Sequence, residues 1–322
     1  MTFSLLFLPP QTQTTRDWAR RLGEAVPSAQ VIVADSEEEA TRHIGAADAA
    51  FGVLPRTLLA NAGKLRWLQA PQAAPPAGYY YPELIAHPVT VTNMREIYND
   101  HIAAHIMGFV LAFARDFPTY LPQQMRREWK PRRLDTGVLH LPDCTALIVG
   151  LGGIGAETAR LAAAFGIRVI ATDARRREAT EGVAELHPAE ALDDLLPQAD
   201  FVILTVPHTP ATEGFMNRER FGRMKRGAFF INIGRGKTTR LDDLVEVLRD
   251  GRVAGAGLDV FETEPLPTNH PLWTMPGVLI TPHTAGFGPY LDERRFQIIL
   301  DNSIAFAEGR TLRNVVDKAN WF

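Results

Sequence analysis

The sequence predicts an α/β fold in two units, the second built on a doubly wound, parallel sheet. Three observations carry this. Short apolar runs alternate with helical patterns from the start of the chain, as in βαβ units. From residue 146 the runs become regular and apolar on both faces, as central strands of a parallel sheet are. The stretch ALIVGLGGIG leads from one such strand into a helix through a glycine-rich turn.

Taken in order, SLLFL (4–8) reads as a strand and Thr15–Val26 as a helix. QVIVA (30–34) is a second strand, SEEEA (36–40) opens an acidic helix, and AAFGV (49–53) is a third strand. A strand ends near Gln69. The stretch APQAAPPAGYYYPEL (70–84) is then a loop, because proline does not fit a helix interior. VTVTN (89–93) is a fourth or fifth strand. A long helix spans 97–113, with Ile102, Ile106, Phe109, Val110 and Phe113 at helical spacing and few charges, so it is buried on more than one side. Residues 121–133 read as an arm, either a solvated connection or a subunit contact. Six strands follow at 146–150, 168–172, 201–206, 228–233, 253–260 and 277–281. Helices are expected at 153–165, 189–196, 217–225 and 241–250, and an amphipathic helix at 291–308 ends the pattern. The expected division is a unit of residues 1–97 completed by 290–322, with residues 98–289 inserted as a dinucleotide-binding unit.

Composition narrows the function. The 322 residues are 46% hydrophobic and 22% charged, with a formal net charge of -3. No basic face for nucleic acid is expected, and Arg175-Arg176-Arg177 reads as a solvated turn. The single cysteine, Cys144, can form no internal disulfide, which suits a reducing compartment. It sits among strand-like apolar residues and is a poor nucleophile. MTFSLLFLPP lacks the basic region and cleavage site of a signal peptide, and no stretch would span a bilayer. A cytoplasmic chain with no membrane or nucleic-acid partner and no metal is expected.

Gly150, Gly152 and Gly155 form G-x-G-x-x-G between a strand and a helix, and a second strand ends at Asp173, 23 residues after Gly150. Gly150 allows the tight turn, Gly152 lets a pyrophosphate approach the backbone, and Gly155 lets helix pack on strand. The helix N-terminus offers N–H groups and a positive dipole end to the anion. Asp173 can accept from the ribose hydroxyls of NAD and would repel the 2′-phosphate of NADP. The neighbouring arginines leave NADP open as the alternative.

Three later strands end in titratable residues: Arg235 after INIG, Asp259, Glu262 and Glu264 in LDVFETEP, and His283 in TPHTAG. Ligands of open α/β sheets bind beyond the carboxyl ends of the strands, so these residues should face one cleft. A guanidinium grips a carboxylate and polarises a 2-oxo group. An imidazole moves the hydroxyl proton, and a carboxylate behind it fixes its orientation and favours its charged form. Glu264 is the expected partner of His283. This set suits hydride transfer on a 2-hydroxy acid.

VGLGGIG, TVPHTPATEGFMNRERFGRMKRGAFFINIGRG, GLDVFETEPLP and TPHTAG together resemble the D-isomer-specific 2-hydroxyacid dehydrogenases, over about residues 89 to 290. The resemblance implies a flavodoxin-like substrate domain made from both chain ends and an inserted Rossmann-like NAD-binding domain. It implies Arg235 as the substrate-binding arginine, Glu264 as the catalytic glutamate, His283 as the acid–base residue, and an exposed Glu262. Asp259 would contact the nicotinamide carboxamide, and Gly153 and Ile154 the pyrophosphate. Thr205, Pro207 and Thr212 flank the adenosine side, and Ile233, Gly234 and Gly286 complete the cofactor set. Backbone N–H groups of the 70–76 loop, with Ala73 and Ala74, are expected at the substrate carboxylate, and Arg95, Tyr79, Tyr80 and Tyr81 are expected to line the specificity pocket, with a packed surface loop as the alternative for the three tyrosines. The helix near 97–115 implies a homodimer. The sequence departs from the family at Lys237-Thr238-Thr239-Arg240, where small residues and an acid are usual, and at the prolines of the 70–76 loop. Alternatives are an NADPH-preferring glyoxylate/hydroxypyruvate-type reductase and a non-catalytic, dinucleotide-sensing corepressor-like protein. Formate dehydrogenase is disfavoured because Glu264 stands where that family has glutamine. A short phosphoglycerate dehydrogenase stays open.

Overall fold

The strands of the computed structural model are β1 (Phe3–Phe7), β2 (Ala29–Val33), β3 (Ala49–Phe51), β4 (Trp67–Gln69), β5 (Thr90–Thr92), β6 (Thr145–Val149), β7 (Arg168–Asp173), β8 (Val183–Pro188), β9 (Phe201–Leu204), β10 (Ala228–Asn232), β11 (Val253–Leu258) and β12 (Val278–Ile280). The helices are α1 (Gln13–Ala25), α2 (Glu37–Ile44), α3 (Arg56–Leu59), α4 (Pro82–Ala86), α5 (Asn99–Ala114), α6 (Phe117–Met125), α7 (Gly153–Ala164), α8 (Leu192–Leu195), α9 (Arg218–Arg223), α10 (Leu241–Arg249) and α11 (Leu291–Glu308). The structure describes residues 2–73, 78–132 and 137–319. The chain divides into two compact units, Met1–Ile97 with Pro289–Phe322, and Tyr98–Gly288.

The first unit carries a parallel sheet in the order β2-β1-β3-β4-β5. Its helices start where the sequence supplies caps. Thr12 and Thr15 form a reciprocal capping box on α1, and Ser36 accepts the N–H of Glu39 at the start of α2, whose first turn is acidic. Leu6, Ile44, Leu58, Leu68 and Val91 fill the core. A polar chain runs through it. Trp67 Nε1 donates to the Thr92 hydroxyl (2.8 Å), that hydroxyl donates to Gln69 Oε1 (2.7 Å), and Asn302 of α11 donates to the same oxygen (3.0 Å). Beyond α11, the Lys318 ammonium donates to the carbonyls of Leu84, His87 and Val89. The C-terminal segment is thus stitched into a sheet made largely from the N-terminal quarter.

The second unit carries a parallel sheet in the order β12-β11-β10-β9-β6-β7-β8. Its order reverses between β6 and β9, and a crevice opens at such a point. α5 packs against α7, β10 and β11, and its buried face joins Ile106, Phe109, Val110 and Phe113 to the core.

Four elements differ from the sequence reading. α3 was not expected, and α4 begins at Pro82 within the 70–84 stretch read as a loop, because proline at the first helical position gives up no needed N–H. β8 is a seventh strand with no both-face apolar run. VAELHP is half-exposed along its length because it lies at the sheet edge. The arm begins with a helix, α6, whose Pro118 sits in the first turn and whose Pro122 lies inside it. Two prolines in nine residues hid the helical spacing of Phe117, Leu121 and Met125.

Candidate active site

The sheet order makes β10, β11 and β12 neighbours, so their carboxyl ends stand side by side. β10 is apolar up to Asn232, which is buried. Its side-chain amide donates to the Arg235 carbonyl (3.2 Å) and to the hydroxyls of Thr238 (3.3 Å) and Thr239 (3.0 Å), and its oxygen accepts the N–H of Gly234 (3.0 Å). The Thr238 hydroxyl donates to the same Arg235 carbonyl at 2.6 Å. A Cβ on Gly236 would overlap the Phe261 carbonyl, so glycine is required there. This local network fixes the turn that carries Arg235. It also accounts for part of the unusual run after Gly236. Thr238 and Thr239 are fully buried in the network, whereas Lys237 and Arg240 are exposed and pair with the neighbouring strand-like segment through their backbones.

Arg235 itself is largely buried. Burial draws its guanidinium below the ordinary arginine value, and the nearby Glu264 charge opposes that shift. It stays cationic. It donates to the Gly234 carbonyl at 2.7 Å, and among the described residues no carboxylate lies at ion-pair distance. A buried cation with spare donors is a receptor for an anion.

Glu264 follows β11 on the loop Val260–Pro265. One carboxylate oxygen accepts the Phe261 N–H (2.9 Å) and the other meets His283 Nδ1 at 2.7 Å. Both oxygens are engaged, so the carboxylate is oriented. A carboxylate only accepts, so Nδ1 carries the proton and Nε2 is the exchanging nitrogen. Glu262 is exposed and caps α10 by accepting the Leu241 N–H (2.8 Å). Three residues past β12, His283 adopts a left-handed backbone, φ +55°.

Asp259 is 1% exposed. It accepts the Thr281 hydroxyl (2.6 Å) and the N–H groups of Thr284 (2.8 Å) and Ala285 (2.9 Å). Sequence reasoning missed this role, as it missed Asn232, Thr281 and His105. A polar residue closing an apolar strand was the available signal for Asn232. His105 had none, because its partner Thr281 is 176 residues away.

The predicted cofactor residues gather at the β6–α7 turn and the neighbouring strand ends. A Cβ on Gly155 would run into the Gly150 carbonyl, so helix and turn touch. Gly152 caps α7, leaving the N–H groups of Gly153, Ile154 and Gly155 in its first turn. The Thr205 hydroxyl donates to the carbonyls of Val149 and Gly150 and braces the turn. Thr212 closes the next loop on the Pro207 carbonyl at 2.7 Å. Ile233 is buried below Gly234, and Gly286 follows the segment anchored by Asp259. Asp173 stands at the end of β7 and accepts three backbone N–H groups, from Leu151, Arg175 and Arg176, each at 2.8 Å. Burial alone would raise its carboxyl, but those three donors and the Arg175 charge hold it below the ordinary value. A cradle of free N–H groups beside a fixed carboxylate fits a dinucleotide.

In the first unit, the Ala73 carbonyl accepts from the Asn93 amide (2.9 Å), and Arg95 donates to the Val315 carbonyl (3.0 Å). Ala74 lies outside the described residues. The Tyr79 and Tyr81 hydroxyls donate to the carbonyls of Gly52 (3.0 Å) and Leu54 (2.9 Å), so both rings are buried struts of their loop.

The family model described as "D-isomer specific 2-hydroxyacid dehydrogenase, NAD binding domain" matches residues 107–285. The chain belongs to the D-isomer-specific 2-hydroxyacid dehydrogenases. A glyoxylate/hydroxypyruvate reductase A of Serratia proteamaculans is 32% identical to this dehydrogenase over 307 residues, 94% of each chain. A D-isomer-specific 2-hydroxyacid dehydrogenase of Xanthobacter autotrophicus, solved with NADPH and MES, superposes with a TM-score of 0.84 at 29% identity over all of both chains. An NADPH-dependent glyoxylate/hydroxypyruvate reductase of Sinorhizobium meliloti, solved with NADP and sulfate, gives 0.81 at 27% identity, again over all of both. The two-domain α/β fold and the family resemblance read from the sequence are both borne out. The dehydrogenase is an NAD(P)-dependent oxidoreductase interconverting 2-hydroxy and 2-oxo acids, which removes the non-catalytic alternative. Among the described residues, no helix is long and apolar enough to cross a membrane.

Proposed function

We propose that this dehydrogenase reduces small 2-oxo acids of glyoxylate or hydroxypyruvate size, with Arg235, Glu264 and His283 as its catalytic residues. The observation that carries the proposal is the 2.7 Å contact between His283 Nδ1 and Glu264, on the strand end next to the one bearing Arg235, which is largely buried and, among the described residues, has no carboxylate at ion-pair distance. Arg235 holds the substrate carboxylate and polarises the 2-oxo group. His283 gives its Nε2 proton to the carbonyl oxygen in reduction and takes it back in oxidation, while Glu264 holds the ring and stabilises its charged form. When bound, the nicotinamide supplies or accepts the hydride. The N–H groups of Gly153, Ile154 and Gly155 would hold its pyrophosphate, and Asp173 its adenosine ribose. The names of the relatives, glyoxylate and hydroxypyruvate reductases, support the substrate size. The test is a panel of 2-oxo acids with NADH and with NADPH, followed at the nicotinamide absorbance. Fastest reduction of the two smallest acids is expected; folded protein without turnover on any acid would end the proposal.

NADH is the proposed preference, set by Asp173, with the Arg175–Arg177 turn as a latent phosphate site. Asp173→Ser is therefore expected to shift the ratio of kcat/KM for NADH over NADPH by at least about tenfold toward NADPH, since one charge repulsion is worth ~1–2 kcal/mol near a surface. A ratio unmoved by that change would remove Asp173 from cofactor choice.

A homodimer in the cytoplasm completes the proposal. Phe117, Leu121 and Met125 repeat at four-residue spacing on α6 and are 49%, 49% and 84% exposed, and Trp129 beyond them is 95% exposed. Such an apolar row calls for a cover, and a second copy of the same row is self-complementary. Sedimentation should give a dimer, and Met125→Glu should raise its dissociation constant at least about tenfold; a wild-type monomer at micromolar concentration would refute this.

A further inference from the structure

We infer that His105, on α5, is a positioning residue for the reaction, acting through Thr281 and Asp259 on the loop that carries His283. This rests on the acid–base role proposed for His283. The chain of contacts is short. His105 Nε2 lies 3.0 Å from the Thr281 hydroxyl, which lies 2.6 Å from Asp259 Oδ1. Asp259 then holds the N–H groups of Thr284 and Ala285. His283 is therefore bracketed. The residue two before it and the two after it are tied to one buried carboxylate.

The direction of each hydrogen bond follows from chemistry. A carboxylate only accepts, so the single Thr281 O–H must point to Asp259. The oxygen of Thr281 can then only accept from His105, so the proton of that ring sits on Nε2. Burial lowers the His105 basicity and the Asp259 charge opposes it. The neutral ring already has the proton where the relay needs it. Phe109 holds the ring edge-on, with centroids 4.8 Å apart. The base of the relay is rigid, since α5 packs on α7, β10 and β11.

What the relay holds is a conformation that a non-glycine residue adopts at a cost. His283 has φ +55°, and its own N–H reaches back to the Thr281 carbonyl at 3.1 Å. A backbone of this kind persists when its surroundings over-determine it. Without the His105 donor, the Thr281 hydroxyl keeps its bond to Asp259 but loses its tie to α5, so the loop that carries His283 has one anchor fewer. The histidine ring then loses its fixed height above the sheet, and misplacement of a proton donor costs turnover rather than binding.

The test uses the full chain with NADH and glyoxylate. His105→Phe and Thr281→Val should each lower kcat about tenfold, with KM for glyoxylate changed less than about twofold. His105→Gln places an amide donor near the position of Nε2 and should recover most of the loss. The double variant His105→Phe/Thr281→Val should be no slower than Thr281→Val alone, because one relay is broken once. Unfolding midpoints are recorded for each, and Thr281→Val gives the same reading should His105→Phe not fold. Wild-type kcat in both single variants, additive losses, or failure of glutamine to rescue would each overturn the inference. His283→Ala is assayed alongside. If it keeps wild-type turnover, the acid–base reading itself fails; if it collapses while His105→Phe and Thr281→Val are silent, the relay alone does.

Discussion

His283→Ala is expected to lower kcat for 2-oxo acid reduction by about 10³-fold, within the range that general acid–base catalysis contributes, with KM held within a few-fold. The substrate carbonyl oxygen must gain a proton, and His283 is the residue whose Nε2 is left available while Nδ1 is spent on Glu264 at 2.7 Å. Glu264→Gln should give a smaller loss, about 10²-fold. The amide oxygen can still accept from Nδ1, so orientation survives, but the negative charge that stabilises the imidazolium is gone. The ordering of the two losses is the informative part. Equal losses would mean that Glu264 works through charge alone. Turnover within threefold of wild type in His283→Ala would remove the assignment altogether.

Arg235→Ala should lower kcat/KM by about 10²-fold, which corresponds to ~3 kcal/mol for charge-assisted hydrogen bonds lost to the substrate carboxylate. Both KM and kcat should suffer, since the same guanidinium binds the acid and polarises its 2-oxo group. Arg235→Lys should recover little. The site is buried, and a lysine ammonium neither reproduces the planar fork nor tolerates burial as well. The protein should stay folded in both variants, because the Asn232 network binds the backbone carbonyl of residue 235 and not its side chain. A fully active Arg235→Lys enzyme would argue for a simple positive charge in place of a shaped clamp.

Much of this was legible before any coordinate. β6, α7 and β7 announce themselves because a strand buried on both faces must be apolar throughout, and the glycine spacing then fixes the turn. Arg235, Glu264 and His283 were legible as strand-end residues, and adjacency of β10, β11 and β12 brings those ends together. β8 escaped notice because an edge strand need not be apolar, and α6 because Pro118 and Pro122 contradict the helical pattern around them. The harder losses concern partners. Asp173 was read as a ribose acceptor, and the three backbone N–H groups that also hold it went unseen, because backbone donors leave no trace in a sequence. Asp259 was read as a cofactor contact, and its protein partners Thr281, Thr284 and Ala285 were not legible. The run after Arg235 stood out in the sequence only as a departure from the family. Two of its residues, Thr238 and Thr239, are as buried as the leucines of the core, because Asn232 gives them partners there.

The thread that ties α11 and Lys318 into the first sheet has a consequence for how the protein is made. Synthesis runs from the N-terminus, and domains ordinarily fold in that order. Here the strands β1 to β5 emerge first but lack Asn302, Val316 and Lys318, which donate to Gln69, to the Val91 carbonyl and to the Leu84 carbonyl. The inserted unit, Tyr98–Gly288, leaves the ribosome with all of its sheet in hand. The inserted unit can therefore close before the first one, whose sheet stays unsealed until α11 and Lys318 have been translated.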